Sequence, residues 1–373
     1  MRIAINTQHL LQNKLEGIGW FAHETLSRIV RNHPEHEFIF IFDRKWDSSF
    51  IYSKNVIPVK TTLPSRHPFL WFWHYEIEIP RILKKYNVDL FFSPDGWMSL
   101  SSTIPTVNTI HDLNFHHRPK DFPFLVRKYY NYFFPKFARK AKRIITVSEY
   151  SKTDICKSYK LNKNAIDIAY NGCNPLYTPV AEEVKTEIKK KFTKGFPYYI
   201  YIGSRNPRKN IEGMLDAFEK FKKTDKAGFK LILVGEPMWN NSYLSKKIKE
   251  MKFNSDLIFT GRLSSEILHL VLASAEALLL VSFSEGFGVP VIEAMHCEVP
   301  VICSNTASLP EIAGEAALFV DPYSTDEICE AMHEITKNST KRNELIVKGR
   351  EQIKKFSWDK TAEKVWQSIE KAM

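Results

Sequence analysis

Short apolar runs rich in β-branched and aromatic residues alternate with amphipathic stretches along the whole chain, which predicts strands and helices in regular succession. In the first half the strands are predicted at 2–6, 37–42, 89–93, 106–110, 143–147 and 167–170, with helices between most of them. The pattern then restarts, with strands predicted at 198–202, 230–234, 257–260, 277–281 and 299–303. The run Ala277-Leu278-Leu279-Leu280-Val281 is apolar on both faces, as a strand covered on both sides of a parallel sheet must be. Between the halves lies Asn171-Gly172-Cys173-Asn174-Pro175-Leu176-Tyr177-Thr178-Pro179, dense in turn residues and followed by a polar helix predicted over 182–191. This is the expected inter-domain linker, and the class is α/β with largely parallel sheets.

A length of 373 residues accommodates two ordinary domains, each with a sizeable core. Five cysteines, an odd number without a CxxC pair, indicate neither a disulfide framework nor a zinc site and suit a reducing cytoplasm. The N-terminus Met1-Arg2-Ile3-Ala4-Ile5-Asn6 turns polar too early for a signal-peptide core, and no apolar run approaches membrane-spanning length. A cytoplasmic protein, free or peripheral at the inner membrane face, is the expectation. Lys and Arg outnumber Asp and Glu by 53 to 42, a net charge of +11 that favours anionic partners.

Candidate chemistry concentrates after the predicted strand 277–281. Ser284-Glu285-Gly286-Phe287-Gly288-Val289-Pro290 leads into a helix in which Pro290 suits the first position and Glu293 the first turn. Ligands of open α/β sheets sit beyond strand carboxyl ends, where helix N-termini offer free amides, and Gly286 and Gly288 let a backbone come close. Glu285 and Glu293 are placed to bind hydroxyls of one ligand; the plainer alternative is that Glu285 complements the helix end and Glu293 is solvated.

This stretch resembles the signature of retaining glycosyltransferases of the GT-B fold, family-4 type, as do Val299-Pro300-Val301-Ile302 and Ser308-Leu309-Pro310-Glu311. The resemblance implies two Rossmann-like domains facing across a cleft. It further implies that Glu285 holds the transferred sugar, Glu293 holds the ribose hydroxyls, and Gly286, Phe287, Gly288 and Val289 line the donor. Glu298 stands where the family usually has glycine. Phe356-Ser357-Trp358-Asp359 resembles the crossover that returns the last helix to the first domain, so the domains are expected at 1–172 with 356–373, acceptor-side, and at 180–355, nucleotide-sugar-binding.

A basic loop, Gly203-Ser204-Arg205-Asn206-Pro207-Arg208-Lys209, follows the predicted strand 198–202, and Asn210 suits the N-cap of a helix over 211–221. Loss of a nucleoside diphosphate from sugar carbon one builds negative charge, which donors already in place must meet. Lys209 matches the family position, while Arg205 and Arg208 are rivals for its partner, Arg205 favoured; the family's Arg after the glycine is Ser204 here. Gly261 and Arg262 are expected near the nucleotide base.

In the first half, His111 follows strand 106–110, a position that in the similar enzymes contacts the donor sugar. Gly17-Ile18-Gly19 with Ala22 outlines G-x-G-x-x-A, but Thr7 to Glu16 separate it from the first strand, which argues against a dehydrogenase. The resemblance implies a glycine-rich loop near the donor diphosphate and the acceptor. No Asp-x-Asp, HExxH, GxSxG or Walker motif occurs, so metal-free transfer without a cofactor is expected, from a nucleotide-sugar co-substrate. GDP-mannose is the first choice of donor and a UDP-sugar the second, with a saccharide or lipid-linked saccharide as acceptor.

Residues 118–143 carry nine cations against Asp121 alone, interleaved with aromatics such as Phe124, Tyr129, Tyr132 and Phe137. Either these aromatics pack on the first sheet beneath solvated cations, or the segment lies on an anionic membrane. A nucleotide-sugar isomerase, or a scaffold without transfer, would share the donor motif. A nucleic-acid-binding protein is the reading of another class; the dispersed cations and the lack of a recognised module exclude nucleic acid from the expected partners.

Overall fold

The computed structural model describes residues 1–12, 14–65, 67–236 and 242–373, the side chains of residues 68, 69, 242 and 243 excepted. The chain divides into two compact units, Met1–Gly172 with Ser357–Met373, and Cys173–Phe356.

Among its described residues the first unit holds seven strands: β1 (Arg2–Asn6), β2 (Glu37–Phe42), β3 (Val56–Lys60), β4 (Leu90–Ser93), β5 (Thr106–Thr109), β6 (Arg143–Thr146) and β7 (Ile166–Ile168). They pair in the order β3-β2-β1-β4-β5-β6-β7, all parallel, so the order reverses between β1 and β4. Helices on the sheet's faces explain the apolar runs: Phe38 to Phe42 are all buried. The apolar pattern does not reveal β3, because Pro58 sits inside it; as the outermost strand it tolerates a residue that cannot donate to a ladder.

The second unit holds β8 (Tyr198–Ile202), β9 (Lys230–Val234), β10 (Leu257–Gly261), β11 (Ala277–Leu280), β12 (Val301–Ser304) and β13 (Ala317–Val320), parallel in the order β10-β9-β8-β11-β12-β13. The reversal falls between β8 and β11. Strand β8 buries three tyrosines, whose hydroxyls donate to Val271, Met332 and Ser204 carbonyls at 2.6, 2.7 and 2.9 Å, so no phenol is left unsatisfied in this strand. β13 is another unanticipated edge strand, four residues long with Phe319 37% exposed, too short and too open to show in a hydropathy pattern.

Ser357 caps the last helix, Trp358–Glu370, accepting from Lys360 N at 3.2 Å. The helix packs in the first unit: Trp366 stacks on His33 with ring centroids 3.6 Å apart, and Arg28 binds Asp359 at 2.6 Å. Gly172 is required where it stands, because a Cβ there would lie 2.3 Å from Trp358 N.

Candidate active site

The loop after β8 and the loop after β11 meet at the reversal of strand order in the second unit, where α/β sheets offer a crevice to ligands. Three links hold them together. Phe283 N donates to Arg208 O at 2.8 Å, Arg208 Nη1 to Ser284 O at 2.8 Å, and Asn210 Nδ2 to Val281 O at 3.1 Å. Asn210 also caps helix Ile211–Lys222, accepting from Gly213 N.

Glu285 is 5% exposed and sits among donors. Its Oε1 accepts from Ser282 Oγ at 2.7 Å and from the Lys209 ammonium; its Oε2 accepts from Arg208 Nη1 at 2.9 Å. Burial alone would push the carboxyl up, but the Lys209 and Arg208 charges outweigh it and hold the group down to about 2. Two cations against one carboxylate leave the site with a net positive charge. Glu285 is therefore neither a helix cap nor solvated. Arg208, not Arg205, shares the carboxylate with Lys209. Arg205 lies over the Phe259 ring at 5.1 Å, and its buried Nε has no hydrogen-bond partner among the described residues.

Helix Val289–His296 begins at Val289, which makes Pro290 its second residue and puts Glu293 beyond the first turn. No side chain caps its N-terminus. Gly288, at φ +96°, turns the chain into it; a Cβ there would meet Leu309 at 2.6 Å, so the position needs glycine twice over. Ser308 Oγ donates to the Glu285 and Phe287 carbonyls at 3.0 and 3.1 Å and fixes the loop, while the Phe287 ring is buried against Phe356. Phe287 can thus offer a ligand only its backbone. Glu293 is half-buried; desolvation raises its carboxyl to about 7, although the facing Tyr177 hydroxyl partly offsets this. Tyr177 comes from the linker, where only its aromatic character is visible in the sequence. Glu298 adopts φ +57° at the helix end, the conformation that explains the family's glycine, and binds Arg350 at 2.8 Å. Arg262 is exposed after β10, its amide donating to Glu236 Oε1 at 3.3 Å beside Gly261 at φ +67°.

In the first unit, His111 Nε2 donates to Pro94 O at 2.8 Å, and the ring stands edge-on to Phe21 at 5.0 Å. Burial lowers its pKa against the opposing pull of the Pro94 carbonyl, so it is neutral at pH 7 with Nδ1 left as an acceptor. Gly17 opens helix Gly17–Asn32 with open space where a side chain would begin, whereas Gly19 lets His9 O approach to 2.8 Å of where a Cβ would stand. Sequence reasoning missed two residues here: Asp95, buried just after β4, and His9, half-exposed just after β1. The signal for Asp95 is present, an acid directly beyond an apolar run, as at Glu285.

Residues 118–143 combine both readings of that segment. In helix Phe124–Lys140, Phe134 and Phe137 are buried in the core, yet Phe124, Leu125 and Tyr132 are 56%, 51% and 59% exposed. Lys128 lies over the Phe124 ring at 4.6 Å and Lys136 over Tyr132 at 3.4 Å. No described helix is long and apolar enough to cross a membrane.

Parallel sheets with charged loops at their order reversals define a class of nucleotide-binding α/β proteins, and comparison with known proteins narrows it. A profile of Glycosyl transferases group 1 matches residues 184–352, and one of Glycosyltransferase Family 4 matches residues 16–175. O-antigen chain mannosyltransferase B of Escherichia coli is 31% identical over 254 residues, covering 68% of this chain and 67% of that protein. O-antigen chain mannosyltransferase RfbU of Salmonella typhimurium is 26% identical over 275 residues, covering 72% and 71%. HepE of Anabaena, solved with UDP and glucose, superposes with a TM-score of 0.76 at 15% identity over 99% of both chains. The chain belongs to the group 1, family-4 type glycosyltransferases and has the GT-B fold.

Proposed function

We propose that this enzyme transfers mannose from GDP-mannose, with UDP-sugars as the competing donors, to a saccharide or lipid-linked saccharide acceptor in polysaccharide synthesis. Transfer proceeds with retention of anomeric configuration and without a divalent ion. The observation that carries this reading is the buried Glu285, Lys209 and Arg208 cluster at the order reversal of the second sheet. Its surplus positive charge suits a diphosphate leaving group, and its donors are held in place before charge develops. Arg205, in the same loop after β8, adds a buried Nε without a hydrogen-bond partner among the described residues. Glu285 would bind the transferred sugar, and Glu293, whose raised pKa leaves a fraction protonated near pH 7, would bind the ribose. The choice of mannose leans on the activities named for the Escherichia coli and Salmonella relatives.

Thermal unfolding against a panel of nucleotide sugars, followed by release of nucleoside diphosphate, tests the reading. GDP-mannose at about 100 times its Kd should stabilise the protein by about 2.7 kcal/mol, and slow donor hydrolysis should disappear in Glu285→Ala. Stabilisation without diphosphate release from any donor would indicate a scaffold instead. Product anomers assigned by NMR, with and without a chelator, test retention and metal independence.

A further inference from the structure

At the order reversal of the first sheet, the ends of β1 and β4 bring together a second polar cluster. Asp95, 6% exposed, is its centre. Asn6 Nδ2 donates to both Asp95 oxygens at 2.9 and 2.8 Å, Ser93 Oγ donates at 2.7 Å, and Asn6 Nδ2 also reaches Tyr75 Oη, which donates to Gln8 Oε1 at 2.6 Å. Every one of these partners is uncharged. Asp95 Oδ2 also faces His9 Nε2, 3.6 Å away on a half-exposed ring. His9 Nδ1 has no partner among the described residues.

The backbone under His9 is fixed. Leu11 N donates to His9 O at 3.1 Å, and the absent side chain of Gly19 gives that carbonyl its space. His111 donates to the carbonyl of Pro94, the residue before Asp95, so the three belong to one neighbourhood. Asn6, Gln8, Tyr75, Asp95 and two histidines are hydrogen-bonding groups with no lysine or arginine among them, a set suited to sugar hydroxyls rather than to phosphate.

We infer that His9 binds a hydroxyl of the acceptor saccharide through Nδ1, and that Asp95 is the positioning residue that aims the ring by taking the Nε2 proton in a hydrogen bond. The inference rests on the transferase reading above. A buried carboxylate orienting a histidine whose other nitrogen meets a hydroxyl needs no further group.

The test uses the full chain, GDP-mannose, and methyl α-mannoside, methyl α-glucoside and methyl α-galactoside as acceptor probes. His9→Ala should raise the acceptor KM about tenfold, the loss expected for one hydrogen bond, while donor hydrolysis, donor KM and Tm stay as in the parent. His9→Asn, whose Oδ1 can stand in for Nδ1, should recover most of that loss. Asp95→Asn should raise the acceptor KM with donor hydrolysis intact. An acceptor KM within twofold of the parent in His9→Ala, or an equal fall in donor hydrolysis, overturns the inference. So does a parent that hydrolyses donor yet transfers to none of the three probes. A parent that neither binds nor hydrolyses a nucleotide sugar overturns the transferase reading itself, and this inference with it.

Discussion

Lys209 and Glu285 are 76 residues apart in the chain and form a buried ion pair at the ends of adjacent strands. Taking one partner away leaves the other charge in a poorly solvated place, which is costly in proteins generally. The pair knits the loops after β8 and β11 and, on the proposed function, it also keeps a cation where a departing diphosphate would need one. Replacement of Lys209 by Met should lower transfer about 10²–10³-fold, the loss expected for one pre-positioned donor. Transfer rates within a few-fold of the parent would show that Lys209 is structural only.

The two arginines should separate cleanly. Arg208 is already committed to Glu285 and to the Ser284 carbonyl, so Arg208→Ala should destabilise the ligand-free protein by about 2 kcal/mol in denaturant titration. Arg205 makes no ion pair among the described residues and rests on Phe259, so Arg205→Ala should leave stability within about 0.5 kcal/mol while raising the donor KM. The reverse pattern would make Arg205 the structural residue and Arg208 the donor contact.

Glu285 also sets an acid limit on stability. Its carboxyl titrates near 2 in the folded chain against an ordinary 4.5, so its contribution is fully present above about pH 4.5 and fades as pH falls toward 2. The difference amounts to about 3 kcal/mol. Glu285→Gln should consequently be clearly less stable than the parent at about pH 6, with the gap closing toward about pH 2.5. A gap that stays constant with pH would mean the pair contributes nothing through its charge.

How much of this is legible in the chain depends on what each feature is made of. Buried parallel strands announce themselves by continuous apolar runs, and eleven of the thirteen strands lie within about two residues of the ends that the pattern predicts. Pro58 hides β3 and exposure hides β13, both edge strands, where pairing on one side suffices. Lys209, Glu285 and Arg208 are each visible as strand-end residues, but which arginine meets the carboxylate depends on how two loops far apart in sequence come together. His9 and Asp95 stand in no recognised spacing. Only the strand order, which places β1 beside β4, makes them neighbours.

Glu293 should show the opposite pH dependence from Glu285. Its carboxyl is raised to about 7, so the folded state is most favoured below about pH 4.5 and loses stability as pH rises through 7. Glu293→Gln, which cannot ionise, should match the parent near about pH 4.5 and exceed it by up to about 3 kcal/mol at about pH 8. If Glu293 also binds ribose hydroxyls, the same variant should bind GDP-mannose more weakly despite its greater stability, the usual exchange of stability for function at a site. Equal stability at both pH values would show that the carboxyl is well solvated.

The exposed face of helix Phe124–Lys140 yields the last prediction. Phe124, Leu125 and Tyr132 leave apolar surface in water, with Arg127, Lys128 and Lys136 lying over the aromatic rings. Core packing accounts for Phe134 and Phe137 and leaves these three unexplained. On an anionic bilayer, each cation near the surface contributes about 1 kcal/mol and the aromatics settle at the headgroup level. Vesicles with anionic phosphatidylglycerol should therefore retain the protein, neutral phosphatidylcholine vesicles should not, and raised salt should release it. Charge reversal at Arg127, Lys128, Lys136 and Arg139 should abolish retention while leaving donor hydrolysis unchanged. Absence of retention on the anionic vesicles would remove the membrane from this enzyme's partners, and retention that survives the reversal would move the contact away from this helix.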